Sequence, residues 1–229
     1  MSPDKRGISA IMPGFCSISA ALSRTVFIME IDAKTLSYEA AYKLMIGSVV
    51  PRPIAWLTTV SPDGIVNAAP FSAYTILCIR PPMVIVNCAR RDGASKDTAR
   101  NAATSADFVL NVVSEDLAAV MHQTSAFYPP GVSETEALGI AVTPSRIVRS
   151  PRIAAAPISL ECRLHQILEF GSDRDENLVG EVVCFHIADH LLKEGKIDQA
   201  KLRPLARLGG PVYAKLGEFV VMRAPTERP

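Results

Sequence analysis

Ile54-Ala55-Trp56-Leu57-Thr58-Thr59-Val60, Ser61-Pro62-Asp63-Gly64 and Ile65-Val66-Asn67-Ala68-Ala69-Pro70-Phe71-Ser72-Ala73-Tyr74 run consecutively and decide the fold. The first segment is rich in β-branched and aromatic residues, which suit a pleated surface. Pro51-Arg52-Pro53 just ahead of it forbids helix and favours extended backbone. Ser61-Pro62-Asp63-Gly64 supplies strong turn chemistry, and extended chain resumes from Ile65 to Tyr74, so the whole reads as a β-hairpin. Outward from it, Met83 to Cys88 is a nearly continuous apolar run, as a buried strand requires. Further strands are expected at Asp107–Val113, Ile158–Leu168 and Val179–Ala188.

Short helices punctuate this series. Tyr38 to Ile46 has a short amphipathic pattern ended by Gly47. Two more helices are expected, from about Ser95 to Thr104 and from Ser114 to about His122, each with a serine placed as its N-cap. Thr124 to Pro151 is rich in proline and turn residues, with Glu134–Leu138 as a single helical turn, and reads as a functional loop or an interface arm. Six or more strands with only short helices argue against a doubly wound sheet. Neither GxGxxG nor GxxxxGK[ST] is present. The fold class expected is mainly β with short helices (α+β), as a β-barrel with peripheral helices.

Composition narrows the function classes. Lys+Arg 24 against Asp+Glu 23 leaves +1 over 229 residues, which gives no footprint for nucleic acid or an anionic membrane. The longest charge-free stretch, residues 7–23, is broken by Pro13 and Gly14, and a membrane span needs roughly 20 predominantly apolar residues. Lys5-Arg6 before an apolar, Ser/Ala-rich stretch only loosely imitates a secretory signal, so a cytoplasmic location is expected. Regular patterning starts at Met29, so residues 1–28 read as a disordered tail or a start codon placed too early, and 29–229 as one domain. Five cysteines at 16, 78, 88, 162 and 184, without CxxC spacing, argue against a disulfide framework and a structural zinc site. Among the four histidines only His186 and His190 are suggestively spaced; on a strand they stand about 13 Å apart. No metal site is expected.

Candidate chemistry lies in Gly93-Ala94-Ser95-Lys96-Asp97-Thr98-Ala99-Arg100-Asn101. A helix starting near Ser95 turns unpaired amides and the positive end of its dipole outward. Ser95 and Thr98 add hydroxyls, while Lys96 and Arg100 add positive charge, a set that suits a phosphate monoester. Taken alone, these residues favour a capped helix with solvated charges over a phosphate site. In Asn67 to Tyr74, small side chains and a proline let a flat heterocycle lie against the backbone, and Phe71 or Tyr74 can pack on its apolar parts. The other reading is a core strand with a proline at its edge.

Tyr42-Lys43-Leu44, Gly47 to Trp56 and Asn67 to Ser72, taken in order, resemble the flavin reductase-like family of FMN-binding split-barrel proteins. Pro81-Pro82, Lys96-Asp97-Thr98 with Arg100-Asn101, and Phe108 to Asn111 continue the likeness. It extends through Thr124-Ser125-Ala126, Tyr128-Pro129, Arg207 to Gly210 and Tyr213, over roughly Met29 to Phe219. The resemblance implies a split β-barrel homodimer with one FMN per subunit near the dimer interface. It implies that Ser95, Lys96 and Thr98 hold the phosphate with Arg52 or Arg100 as helpers, and that Ala68, Ala69, Pro70, Phe71 and Ser72 line the ring system. Thr58, Thr59 and Asn87 would reach the ring edge or the ribityl chain, and Thr124, Ser125, Tyr128 and Tyr213 would border the open face.

The activity implied is hydride transfer from NADH or NADPH to FMN, with reduced flavin passed to a partner oxygenase. This chemistry is the cofactor's own and demands no acid–base dyad from the chain. Two further readings stay open: an FMN-containing electron carrier or oxidase with a protein donor, and a flavin-binding protein without turnover.

Overall fold

The computed structural model describes residues 27–129 and 131–222, so the expected tail 1–28 lies almost wholly outside the described residues. The chain divides into two compact units, residues 1–41 and 42–229. In the first, Asp32 caps the short 3-10 turn Ala33–Thr35, its carboxylate accepting from Lys34 N at 2.9 Å. Helix α1, Tyr38–Ser48, contains the division. It runs through Gly47, which was expected to end it: one glycine costs a helix only about 1 kcal/mol, and the stop is Pro51 just beyond.

Seven antiparallel strands make the main sheet. In chain order they are β1 Ala55–Val60, β2 Val66–Phe71, β3 Tyr74–Ile79, β4 Pro82–Cys88, β5 Asp107–Val112, β6 Ile158–Phe170 and β7 Asp175–Ile187. Their order across the sheet is β2-β1-β5-β6-β7-β4-β3. The hairpin expected from the sequence is β1–β2, with Ala55 opposite Phe71 and Val60 opposite Val66. Strand β3 escaped the sequence reading, which ended the extended segment at Tyr74. No turn signal separates β2 from β3, because Ser72 and Ala73 do not form a hairpin but carry the chain from one edge of the sheet to the other. In a flat sheet those edges would lie about 29 Å apart, and the step from Phe71 to Tyr74 spans at most about 11 Å. The sheet must therefore curl until its two edge strands come together, and Asn87 N donates to Ala73 O at 2.8 Å, which extends the β3–β4 ladder up to the crossing.

Period-2 alternation sorts the residues of the curled sheet. Ala55, Leu57, Phe71, Val84, Val86, Phe108, Leu110, Cys162 and Leu178 form one buried cluster, while Ile54, Trp56, Ala68, Val113, Met121 and Ile153 form a second. Adjacent residues of β1 thus serve different cores, and all six of its residues are buried.

The long segment after Thr124 is pinned to the barrel by a polar stripe on β5 and β6. Asp107 accepts from Arg149 N, Ser150 N and Ser150 Oγ at 2.9, 3.2 and 2.6 Å. Asn111 donates to Trp56 O and Thr58 Oγ1 and accepts from Ile153 N and Ser159 Oγ, all within 3.2 Å. Glu161 accepts from Arg146 N, Ile147 N and Val148 N at 2.6, 2.7 and 3.2 Å. Burial alone would raise the Glu161 carboxyl, but these amides and His186 outweigh it and hold it below its usual range. Residues 144–151 are therefore a strap with its own anchors.

Two expected serine caps are not found. Lys96 stands at the N-cap of α2, Asp97–Ser105, and Ser114, which precedes the 3-10 turn Glu115–Leu117, makes no capping bond. That turn leads into α3, Ala118–Gln123. The expected single helical turn is α4, Glu134–Ala137, capped by Ser133.

Close packing is tightest at Gly180 in β7, where a Cβ would stand 2.7 Å from Phe108 Cε1 and 3.1 Å from Cys162 Cβ. Gly180→Ala should destabilise the fold by about 1–3 kcal/mol through overpacking. Chemical denaturation would show this as a lowered midpoint at unchanged slope; an unchanged midpoint would mean that the Phe108 ring moves aside freely.

Candidate functional site

The Asp92-Gly93 pair places the residues singled out in the sequence. Both have positive φ, 50° and 75°, and Arg91 and Ala94 exchange backbone hydrogen bonds at 2.9 and 2.8 Å, so the chain reverses tightly after β4. The base of this turn is held by Arg90, which pairs with Glu169 at 2.9 Å and Glu176 at 3.1 Å. The chain then enters α2, which buries Thr98, Ala99 and Ala102 and leaves its first turn facing a cleft.

That first turn has no side-chain cap, so its leading amides are open to an external acceptor. Lys96 lies 5.5 Å from the centre of the Phe71 ring and has no ion-pair partner among the described residues. Burial pushes its ammonium below the usual lysine range; Cys88 opposes this, nearby Arg91 adds to it, and Asp175 opposes it least. A half-buried cation without a counter-charge is stabilised by any anion that enters. Thr98 Oγ1 accepts from Asn67 Nδ2 at 2.9 Å, which leaves its own proton to donate.

The cleft encloses about 370 Å³. Ala69, Pro70 and Phe71 of the edge strand β2 form its floor, and Thr124 to Tyr128 face them. A second cavity of about 660 Å³ shares Pro70, Phe71, Lys96 and Ser125 with it and is also lined by Arg52, Ser72, Asn87 and Tyr213. Both volumes lie in the range of small-molecule sites, about 300–1,000 Å³. At the far wall of the second cavity, Tyr213 OH meets His122 Nδ1 at 2.8 Å and accepts from Arg207.

Sequence comparison places a family on this geometry. Residues 46–206 match the model of the flavin reductase like domain. The chain belongs to the flavin reductase-like family. An uncharacterised protein of Halalkalibacterium halodurans is 40% identical over 203 residues, which covers 86% of this chain and 97% of that one. Nitrilotriacetate monooxygenase component B from Bacillus cereus superposes with a TM-score of 0.84 at 35% identity, covering 86% and 100% of the two chains. The 2-nitrobenzoate 2-nitroreductase of Pseudomonas fluorescens superposes at 0.79 with 34% identity, covering 88% and 98%.

In this flavin reductase-like chain the expected site residues separate into two groups. Ala69, Pro70, Phe71, Ser95, Lys96, Thr98, Arg100, Thr124, Ser125 and Tyr128 line the first cavity; Arg52, Ser72, Asn87 and Tyr213 line the second. Thr58, Thr59 and Ala68 line neither. Thr58 donates to Pro151 O at 2.5 Å under the strap, and Thr59 accepts from Asn101 Nδ2 at 3.3 Å. Ala68 is fully buried in the second core.

Several lining side chains are already committed elsewhere. Arg52 donates to the carbonyls of Ile46, Val49 and Leu208, which ties α1 to the C-terminal region and leaves it ill-suited to hold a phosphate. Arg100 pairs with Asp97 and Ser95 O, and the Ser95 hydroxyl donates to Glu176 Oε2 at 2.8 Å. Thr124 bridges Trp56 Nε1 and Met121 O, at 3.0 and 2.7 Å.

Sequence reasoning missed Asn67 and Glu134 as lining residues. Glu134 comes from the segment beyond the cleft, and its Oε2 accepts at 3.0 Å from Ala68 N, an amide on the open edge of β2. Its only sequence signal was an acidic residue placed after a capping serine. Burial raises the Glu134 carboxyl above its usual range, the Ala68 bond opposes this, and Asp97 adds to it. A raised carboxyl keeps its proton in the native state while the unfolded chain has already lost it. Stability is therefore lost as pH rises from the ordinary carboxyl range through the raised value. Glu134→Gln keeps an acceptor for Ala68 N and removes the titration. Between pH 4.5 and pH 8 the melting temperature of the wild type should fall relative to that of the variant; parallel curves would show that Glu134 titrates normally.

Proposed function

We propose that the chain is an NAD(P)H-dependent flavin reductase that binds FMN with its phosphate at Lys96, Thr98 and the first turn of α2. The unpartnered, half-buried Lys96 ammonium beside uncapped helix amides carries this reading, because a dianion supplies what both lack. Thr98 donates its free hydroxyl proton to the same group. Ala69 and Pro70 give the flat floor, and Phe71 sets the width between floor and ammonium. When bound, FMN supplies the hydride chemistry; the chain's work is to bind, orient and shield.

The nicotinamide side is assigned to the second cavity, where Tyr213, fixed by His122 and Arg207, offers a rigid ring and Asn87 a polar edge. The exposed apolar strand β3 beside that cavity, with Ile76 and Ile79 66% and 70% exposed, suits a second copy of the chain, and we assign the homodimer interface there. Component B of a monooxygenase among the solved relatives supports delivery of reduced flavin to a partner oxygenase. The nitroreductase relative favours a second reading, in which the flavin stays bound and reduces a nitroaromatic directly.

Anaerobic mixing of the FMN-loaded protein with NADH or NADPH should bleach the flavin absorbance within seconds, and air should restore it. A flavin that stays oxidised with both donors would sink the reductase reading. Adding 2-nitrobenzoate to the reduced protein separates the two fates, since reoxidation without air belongs to the second. Independently, Lys96→Ala should weaken FMN by about 1.5–3 kcal/mol, the range for hydrogen bonds to charged groups. Riboflavin, which has no phosphate, should be affected much less. Equal losses for the two ligands in calorimetry would remove Lys96 from the phosphate.

A further inference from the structure

A second cluster lies well away from the cleft. On β7, Cys184 and His186 share a face, and the register sets Glu161 of β6 directly opposite Cys184. His186 Nε2 stands 2.5 Å from Glu161 Oε1 and 3.6 Å from Cys184 Sγ. Glu161 is fully buried, whereas Cys184 and His186 are half-buried. From Glu176, which meets Ser95 beside the cleft, to Cys184 is about 26 Å of strand.

We propose that Glu161, Cys184 and His186 form a binding site for a borderline-soft divalent cation, Zn²⁺ or its analogue Co²⁺, that clamps the strap to the barrel. The donor set is one thiol, one imidazole and one carboxylate, and the thiol selects against Mg²⁺ and Ca²⁺. In a tetrahedral zinc site, Zn–N of about 2.0–2.1 Å and Zn–S of about 2.3 Å place nitrogen and sulfur roughly 3.6 Å apart. Cys184 and His186 already stand at that separation. The nitrogen–oxygen pair has to open by under about 1 Å from its present hydrogen bond to meet the same geometry.

The carboxylate is oriented in advance. Amides of Arg146, Ile147 and Val148 hold both its oxygens, the kind of outer support that metal ligands carry. The cation would take the place of the proton now shared between His186 and Glu161. Binding through Nε2 moves the proton of the neutral imidazole to Nδ1 and releases the thiol proton to solvent, and one thiolate and one carboxylate then balance the two positive charges. The half-buried side of the cluster leaves a fourth position to water.

Histidine spacing along one strand could not reveal this set, because its carboxylate comes from the neighbouring strand and His190 lies beyond the end of β7 in the 3-10 turn Asp189–Leu191. The test is Co²⁺ titration of the reduced full-length protein, read by absorbance, then chelator competition with Zn²⁺. A thiolate-to-cobalt charge-transfer band should saturate at about one ion per chain and disappear on adding Zn²⁺. Cys184→Ser and His186→Gln should each weaken binding at least tenfold, while FMN binding persists, since neither side chain lines the cleft. Zn²⁺ should also raise the melting temperature of the wild type and not that of Cys184→Ser. No charge-transfer band in the wild type, or an equal band in Cys184→Ser, would overturn the proposal and leave the cluster as a hydrogen-bonded anchor for the strap.

Discussion

Two residues, Ser72 and Ala73, impose the architecture on which everything else depends. They join strands at opposite ends of the sheet order, and a link so short tolerates only a closed sheet. Closure gives the apolar face an inside, where Phe71 and Phe108 pack with Val86 and Leu178. It also fixes the cleft, since Pro70 and Phe71 end one edge of the sheet where the chain crosses to the other. The crossing cannot itself be a ladder, so the open amide of Ala68 on the β2 edge needs an acceptor from elsewhere, and Glu134 supplies it.

That requirement explains the long segment between α3 and β6. It contains little regular structure, yet each of its polar anchors answers a specific need of the barrel. Ser133 donates to Val66 O at 2.7 Å and Glu134 receives from Ala68, so one part of the segment completes the β2 edge. Asp107, Asn111 and Glu161 hold the rest against the outer face of β5 and β6. Buried carboxylates are costly unless several donors meet them, and Asp107 and Glu161 are each met by at least three. The cleft is thus built from both sides of one constraint, with β2 and α2 on one wall and the segment that covers β2 on the other.

Much of this was legible in the sequence, for identifiable reasons. The β1–β2 hairpin announced itself because Ser61-Pro62-Asp63-Gly64 is a local signal, and β4 to β7 because buried strands write apolar runs. Strand β3 was hidden because a crossing between sheet edges needs no turn residue. Ser95 reads as an N-cap from local preference, but Glu176 of β7 takes its hydroxyl, a competitor 81 positions away in the chain. Arg52, Thr58 and Thr59 were drawn into the site by the family resemblance, whereas the carbonyls of Ile46, Val49, Leu208 and Pro151 decide where Arg52 and Thr58 point. Glu134 was invisible because its role depends on a strand edge some 66 residues earlier.

The electrostatics of the cleft follow from the same folding constraints. Lys96 and Glu134 reach opposite walls of one cavity, and burial moves both towards neutrality, the ammonium downward and the carboxyl upward. They make no ion pair, because the Ala68 amide holds Glu134 and the Phe71 ring lies under Lys96. Had they met, the carboxylate would have satisfied the ammonium, and an entering anion would have had to break that pair. Kept apart, they leave an ammonium without a counter-charge beside uncapped helix amides, a lack that the proposed phosphate would fill. Such a site must be assembled by long-range contacts, since α2 alone would expose Lys96 to water and leave it with no need of a ligand.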